Sequence, residues 1–446
     1  MAAEIIIPTK EQEIWADLEI GVLIHMDMQI FEPEYDFRVQ WGYQPPAEQF
    51  APMQLDTDQW IQSAAAAGAK YAVLVAKHCS GFCLWPTKVH EYSIKGSPWK
   101  NGKGDIVGDF FNSCKKYGLK PGLYYSSSCN AYYNVDNPGT IKDISNTENV
   151  QAANVQAANV QVMQEKYNAD VLLQLTELWT QYGDVFEIWF DGGCLSPKDG
   201  GPDIASLLHR LQPNAVVFQG PPEMKSLLRW VGNERAMAPD DCFATVDLTS
   251  EAFDGSDERM YGGNPYGKTW MPAESDTPNR YAHKSFAGGW FWKKDEEHAI
   301  IPADVLYDKY VRSVGRNSNL LIGMVIDDRG LFPEADAKVF AEFGGLVNQS
   351  FGTPIVELTP EELKEVNSNQ EYTISLPSDA TPKYLVMMED ISCGERVLGY
   401  SVNNGVMTGK CIGHKRIIEL PKGTSALHLK ITDRKAEPVL RGIAVY

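Results

Sequence analysis

Basic residues are scarce in this 446-residue chain: 40 Lys and Arg stand against 59 Asp and Glu, for a net charge of −19. Phosphate recognition needs stripes of Lys and Arg, so this balance argues against nucleic acid and against an anionic membrane surface as partners. No run of about 18 apolar residues exists, so no membrane span is expected. The opening Met1–Pro8 has no basic stretch leading into a long apolar one, the pattern of a secretory leader. Cytoplasmic placement and periplasmic or secreted placement after loss of a leader both stay open. The eight cysteines are scattered, and Cys79 and Cys83 have no second pair to complete a zinc site. Such scattering favours free thiols in a reducing compartment. Also missing are His-x-His, His-Glu-x-x-His, Gly-x-Ser-x-Gly, a Walker loop, and a Gly-x-Gly-x-x-Gly after the first apolar run. Their absence argues against zinc hydrolysis, a serine nucleophile, nucleotide phosphates and dinucleotide binding. The expectation is an activity with no metal and no cofactor.

What is present is apolar and aromatic mass, with 11 Trp and 20 Tyr. That is enough for a sizeable core and for flat faces that suit sugar rings. Strands are expected at Ile20–His25, Lys70–Lys77, Leu119–Ser126, Val185–Gly192, Ala215–Gly220, Arg229–Glu234, Thr269–Pro272 and Leu320–Val325. Most of these runs are continuously apolar, as in strands buried on both faces of a parallel sheet. Helix patterns fall between most of them: Thr57–Ala67 after Asp56, Gly104–Tyr117 before Gly118, Val160–Tyr182 before Gly183, and Pro302–Gly315. Eight strands with intervening helices fit an α/β fold, a (β/α)8-like barrel over residues 1–350. The stretch from the fifth to the seventh strand is loop-rich. A five-residue repeat over Asn149–Gln161 reads as a local lengthening of the helix before strand four. After about residue 353 comes a charged break at Glu362–Glu365. Short alternating runs follow, separated by turn signals such as Asn403-Asn404-Gly405. They predict a small C-terminal antiparallel β-sandwich over residues 351–446.

In barrel enzymes the functional groups sit at the C-terminal ends of the strands. Here those ends carry His25 and Asp27, Lys77-His78-Cys79, Tyr124-Tyr125-Ser126, Asp191, Asn233-Glu234, and then Glu274 and Asp276. Asp191 closes the apolar run Phe186–Phe190, and desolvating a carboxylate without a partner is costly. A helix cap is the other explanation, but Gly192-Gly193 starts no helix. A pair of carboxyls flanking a bond is what glycoside hydrolysis requires. Glu234 and Glu274 are the candidates to pair with Asp191.

Five ordered segments carry a resemblance: Gly21–His25, Val75–Thr87, Pro121–Ser126, Ile188–Gly192 and Val314–Leu321. Together they are similar to glycoside hydrolase family 29, the α-L-fucosidases. Trp230–Glu234 and Tyr384–Val397 resemble the bacterial subgroup acting on α-1,3/1,4-linked fucose. The resemblance implies a retaining double displacement on a fucosylated oligosaccharide or glycoconjugate. It implies Asp191 as nucleophile and Glu234 as acid/base, with Glu274 as the alternative. His25, Trp41, His78, Tyr125 and Trp189 are the implied sugar contacts. The segment Lys77-His78-Cys79-Ser80-Gly81-Phe82 departs from the family's usual Lys-His-His-Asp-Gly-Phe. Gln40-Trp41 stands where Glu-Trp is usual. Both changes are expected to face sugar hydroxyls. A related sugar such as α-L-galactose, or a non-catalytic carbohydrate-binding barrel, therefore remain alternatives.

Overall fold

The structure, a computed structural model, describes residues 4–142, 150–248, 261–282 and 288–446. Eight parallel strands close into a barrel: β1 Ile20–His25, β2 Tyr71–Lys77, β3 Lys120–Tyr125, β4 Glu187–Trp189, β5 Val216–Phe218, β6 Leu227–Trp230, β7 Ala273–Thr277 and β8 Ser318–Val325. β8 pairs back onto β1 through Ile20↔Leu320 to His25↔Val325. Every residue of β1, β2 and β8 is buried, which is why these segments are apolar throughout.

The outer helices begin and end where their caps dictate. Asp56 accepts from the Asp58 and Gln59 amides to start Thr57–Ala66. Asp105 starts Ile106–Tyr117, which Gly118 ends at φ 76°. The helix before β4 runs Val150–Gln181. The repeat falls at its start, where residues 143–149 and the side chains of 150–158 lie outside the described residues.

Two strand expectations need correction. Thr269–Trp270 pairs antiparallel with Thr245–Val246 in a ribbon outside the barrel, and the seventh barrel strand is Ala273–Thr277. This Ala-Glu-Ser-Asp-Thr segment is polar yet wholly buried, because each polar side chain has a partner inside the fold. An apolar-run criterion passes over it. The sixth strand ends at Trp230, so Val231–Glu234 is already loop, with Gly232 at φ 87°.

The C-terminal portion is two antiparallel four-stranded sheets whose inward apolar residues form a core of their own. In Ala426–Arg434 burial alternates residue by residue, with Leu427, Leu429 and Ile431 inside. The charged stretch at Glu362–Glu365 is not a break. It lies in the helix Pro360–Asn369, started by a capping box between Thr359 and Glu362. Glu395 ties this portion to the barrel by accepting from the Ala244 amide and from Asn317. No helix of the described residues is long and apolar enough to cross a membrane.

Candidate active site

A pocket of about 590 Å³ opens at the C-terminal ends of the barrel strands. A row of aromatic plates crosses its floor, one from each of four successive strands. His78, just past β2, stacks on Tyr124 of β3 at 5.7 Å. Tyr124 stacks on Trp189 of β4 at 5.3 Å, and Trp189 on Phe218 of β5 at 4.1 Å and 4°. The strand register creates the row, since Tyr124, Trp189 and Phe218 are direct cross-strand partners.

Two exposed carboxyls project into this pocket. Asp191 follows β4, and its Oδ2 accepts from the Tyr124 hydroxyl at 3.0 Å. Its backbone is held on both sides. Ser128 donates to the Asp191 carbonyl at 2.5 Å, and Gln219 accepts from the Gly192 amide at 3.0 Å. Gly192 stands at φ 70°, a conformation that favours glycine and turns the chain just after the carboxyl. Glu234, in the loop after β6, accepts from the indole N–H of Trp290 through Oε2 at 3.1 Å.

The two histidines are set in opposite protonation states. His25 places Nδ1 3.1 Å from the Leu23 carbonyl, so that nitrogen carries the hydrogen and Nε2 keeps its lone pair. Burial, then the neighbouring His78, lowers its pKa to about 3. For His78, burial works against the charge, but Cys79 and the Asp27 carboxylate raise the pKa to about 10. Contact with Cys129 and burial push the Cys79 thiol well above its usual range, so at neutral pH it is uncharged. The Asp27 carboxylate lies 3.5 Å from His78 and favours the imidazolium.

Of the residues expected from sequence, Asp191, Glu234, His25, His78 and Trp189 line one pocket. Three others do not. Tyr125 turns to the far side of β3, where its hydroxyl donates to Gln174 at 2.7 Å. Its neighbour Tyr124 faces the pocket, as strand alternation requires. Trp41 packs on Phe37 at 5.4 Å, and from this loop Phe37 and Arg38 reach the pocket. Glu274 is fully buried beneath the floor, with Oε1 accepting from Tyr71 and Oε2 from the Trp189 indole. The Trp189 N–H is therefore spent inside the fold and is not free for a sugar hydroxyl. Of the two departures, Cys79 does line the pocket, whereas Gln40 accepts from the Asp36 amide within its own loop. Tyr124 had a sequence signal, the strand end. Trp290 comes from a distant loop, and no spacing pointed to it.

A profile of the α-L-fucosidase family matches residues 10–350 of the chain. The chain belongs to the α-L-fucosidase family. Two plant proteins agree over almost the whole length: Alpha-L-fucosidase 1 of Arabidopsis thaliana is 28% identical, covering 99% of this chain and 87% of that protein. A rice protein assigned as alpha-L-fucosidase 1 is 30% identical, with 99% and 85% covered. A crystal structure from Bacteroides thetaiotaomicron, also assigned as an α-L-fucosidase, superposes with a TM-score of 0.86 at 33% identity and 99% coverage of both chains. The chain is thus a glycoside hydrolase with α-L-fucosidase activity, and a fucosylated glycan is its substrate class. In this fucosidase the aromatic floor and the two carboxyls occupy the same mouth of the barrel.

Proposed function

We propose that the chain is a retaining exo-fucosidase that releases terminal α-1,3/1,4-linked L-fucose from branched glycans. Asp191 serves as nucleophile and Glu234 as acid/base. The observation that carries this assignment is the pair of exposed carboxyls in one pocket, each with a single oxygen held by a donor from the pocket wall.

The free Oδ1 of Asp191 attacks the anomeric carbon while the bond to the glycosidic oxygen breaks. Glu234 gives that oxygen its proton. Trp290 donates to Oε2, so the proton resides on Oε1. In the second step Glu234, now a carboxylate, takes a proton from water, the oxygen of that water bonds to the anomeric carbon, and Asp191 leaves. The His78 imidazolium donates to sugar hydroxyls and the His25 Nε2 accepts from them. The stacked plates of Tyr124 and Trp189 give the floor an apolar surface for the sugar's C5-methyl side. The linkage preference is supported by the likeness of Trp230–Glu234 and Tyr384–Val397 to the bacterial subgroup.

The test is fucose release from an aryl α-L-fucoside and from a branched Lewis-type oligosaccharide, with Asp191→Ala alongside. Cleavage of the branched glycan that disappears in the variant supports the proposal. Release by the variant at the wild-type rate overturns the assignment of Asp191.

A further inference from the structure

The lower layer of the barrel interior is polar, where a barrel of this type ordinarily holds branched apolar residues. Tyr71 opens β2, Glu187 opens β4 and Glu274 is the second residue of β7. All three are fully buried. The helix Lys10–Leu18 closes the barrel below them, and Trp15 donates its indole N–H to Glu187 Oε2 at 3.1 Å. The two carboxyls are electrostatic neighbours inside the barrel. The groups facing them are Tyr71, Trp15, Trp189 and, further up the same strand, Asp276, none of which is a cation.

We propose that Glu187 and Glu274 form a carboxyl pair sharing one proton, and that Glu274 thereby acts as the positioning residue for Trp189 and the pocket floor. The proposal rests on the fucosidase assignment above.

Counting donors fixes where the proton sits. Both oxygens of Glu274 accept: Oε1 from Tyr71 at 2.7 Å and Oε2 from Trp189 at 2.9 Å. Glu274 is therefore the ionised member. Glu187 uses Oε2 as an acceptor, while its buried Oε1 has no hydrogen-bond partner. A proton on Oε1 donates to Glu274, completes both groups and leaves one negative charge where two would repel. Burial raises both groups, Glu274 to about 7 and Glu187 well above its ordinary range, in keeping with one retained proton.

That single charge reaches the chemistry through a short chain of contacts. Glu274 fixes the Trp189 indole between Tyr124 and Phe218. Tyr124 in turn donates to Asp191. A Gln at 274 has one acceptor oxygen, so it cannot serve both Tyr71 and Trp189. A Gln at 187 still donates to Glu274 and mimics the protonated acid.

The experiment compares Glu187→Gln and Glu274→Gln in the full chain. It combines kinetics on an α-L-fucoside, L-fucose binding by calorimetry, and isotope-edited infrared spectroscopy of labelled glutamate. Glu187→Gln should keep activity within about threefold while abolishing the infrared band of a protonated carboxyl. Glu274→Gln, folded as judged by its melting transition, should lose about 10- to 100-fold in kcat, the scale of a misplaced reacting group. Fucose binding should weaken far less. Equal losses in both variants, or a wild-type spectrum without a protonated carboxyl that Glu187→Gln removes, overturn the pair. A wild-type chain inert toward every α-L-fucoside would instead overturn the fucosidase assignment, and the infrared result would decide the pair on its own.

Discussion

The Tyr124 hydroxyl donates to Asp191 Oδ2 at 3.0 Å while its ring lies between His78 and Trp189. One side chain thus couples the carboxyl proposed to attack the sugar to the floor on which the sugar rests. Tyr124→Phe keeps the plate and removes only the donor. A hydrogen bond to a charged group contributes about 1.5–3 kcal/mol, so kcat/KM should fall about 10- to 100-fold with the melting temperature little changed. Steady-state kinetics and calorimetric melting check this.

Glu234→Gln removes the transferable proton but keeps the acceptor oxygen for Trp290. Leaving groups that need protonation should suffer most. Hydrolysis of a natural oligosaccharide should fall about 10²- to 10⁴-fold, the usual contribution of acid–base catalysis. An aryl fucoside with an acidic leaving group should be cleaved with a much smaller loss in the first step. Comparing the two substrates in one variant is the check.

Asp27 contributes to the charge on His78. In the wild type the imidazolium persists as pH rises until about 10 and is lost above it. Replacing Asp27 with Asn takes away the charge at 3.5 Å and keeps an acceptor oxygen for the Ser80 hydroxyl. The proton then leaves at lower pH. The alkaline limb of kcat/KM should move down by more than one pH unit in Asp27→Asn, read from a pH–rate profile.

A buried carboxyl of the C-terminal sheets contributes to the pH dependence of stability. Burial raises the Glu389 pKa to about 7. A carboxyl raised in the folded state holds its proton more tightly there than when unfolded. Its contribution is full below the ordinary carboxyl range near 4.5 and is lost as pH rises through about 7. Removing the titration with Glu389→Gln should therefore flatten the decline in melting temperature between pH 5 and pH 8. A steeper decline in the variant would contradict the assignment.

The barrel was legible because parallel strands buried on both faces must be apolar throughout, and the expected Ile20–His25 matches β1 residue for residue. The same rule misplaced β7, whose inward Glu274 and Asp276 are satisfied by partners from other strands that no local pattern reveals. Asp191 and Glu234 stood out as carboxyls at the ends of apolar runs. The choice between Tyr124 and Tyr125 turned on which face of β3 points inward, a matter of register that a run buried on both sides conceals. Trp290 lies 56 residues from Glu234 in a separate loop, and only the closed barrel brings them together. The capping box that turns the charged stretch near Glu362 into a helix was present in the sequence, with Thr359 three residues before Glu362.

The most direct measurement is a proton NMR time course of α-L-fucoside hydrolysis that identifies the anomer released first. Double displacement through Asp191 predicts that α-L-fucose appears first and then mutarotates. β-L-Fucose as the first product would mean a single displacement by water and would contradict the assignment of Asp191 as nucleophile.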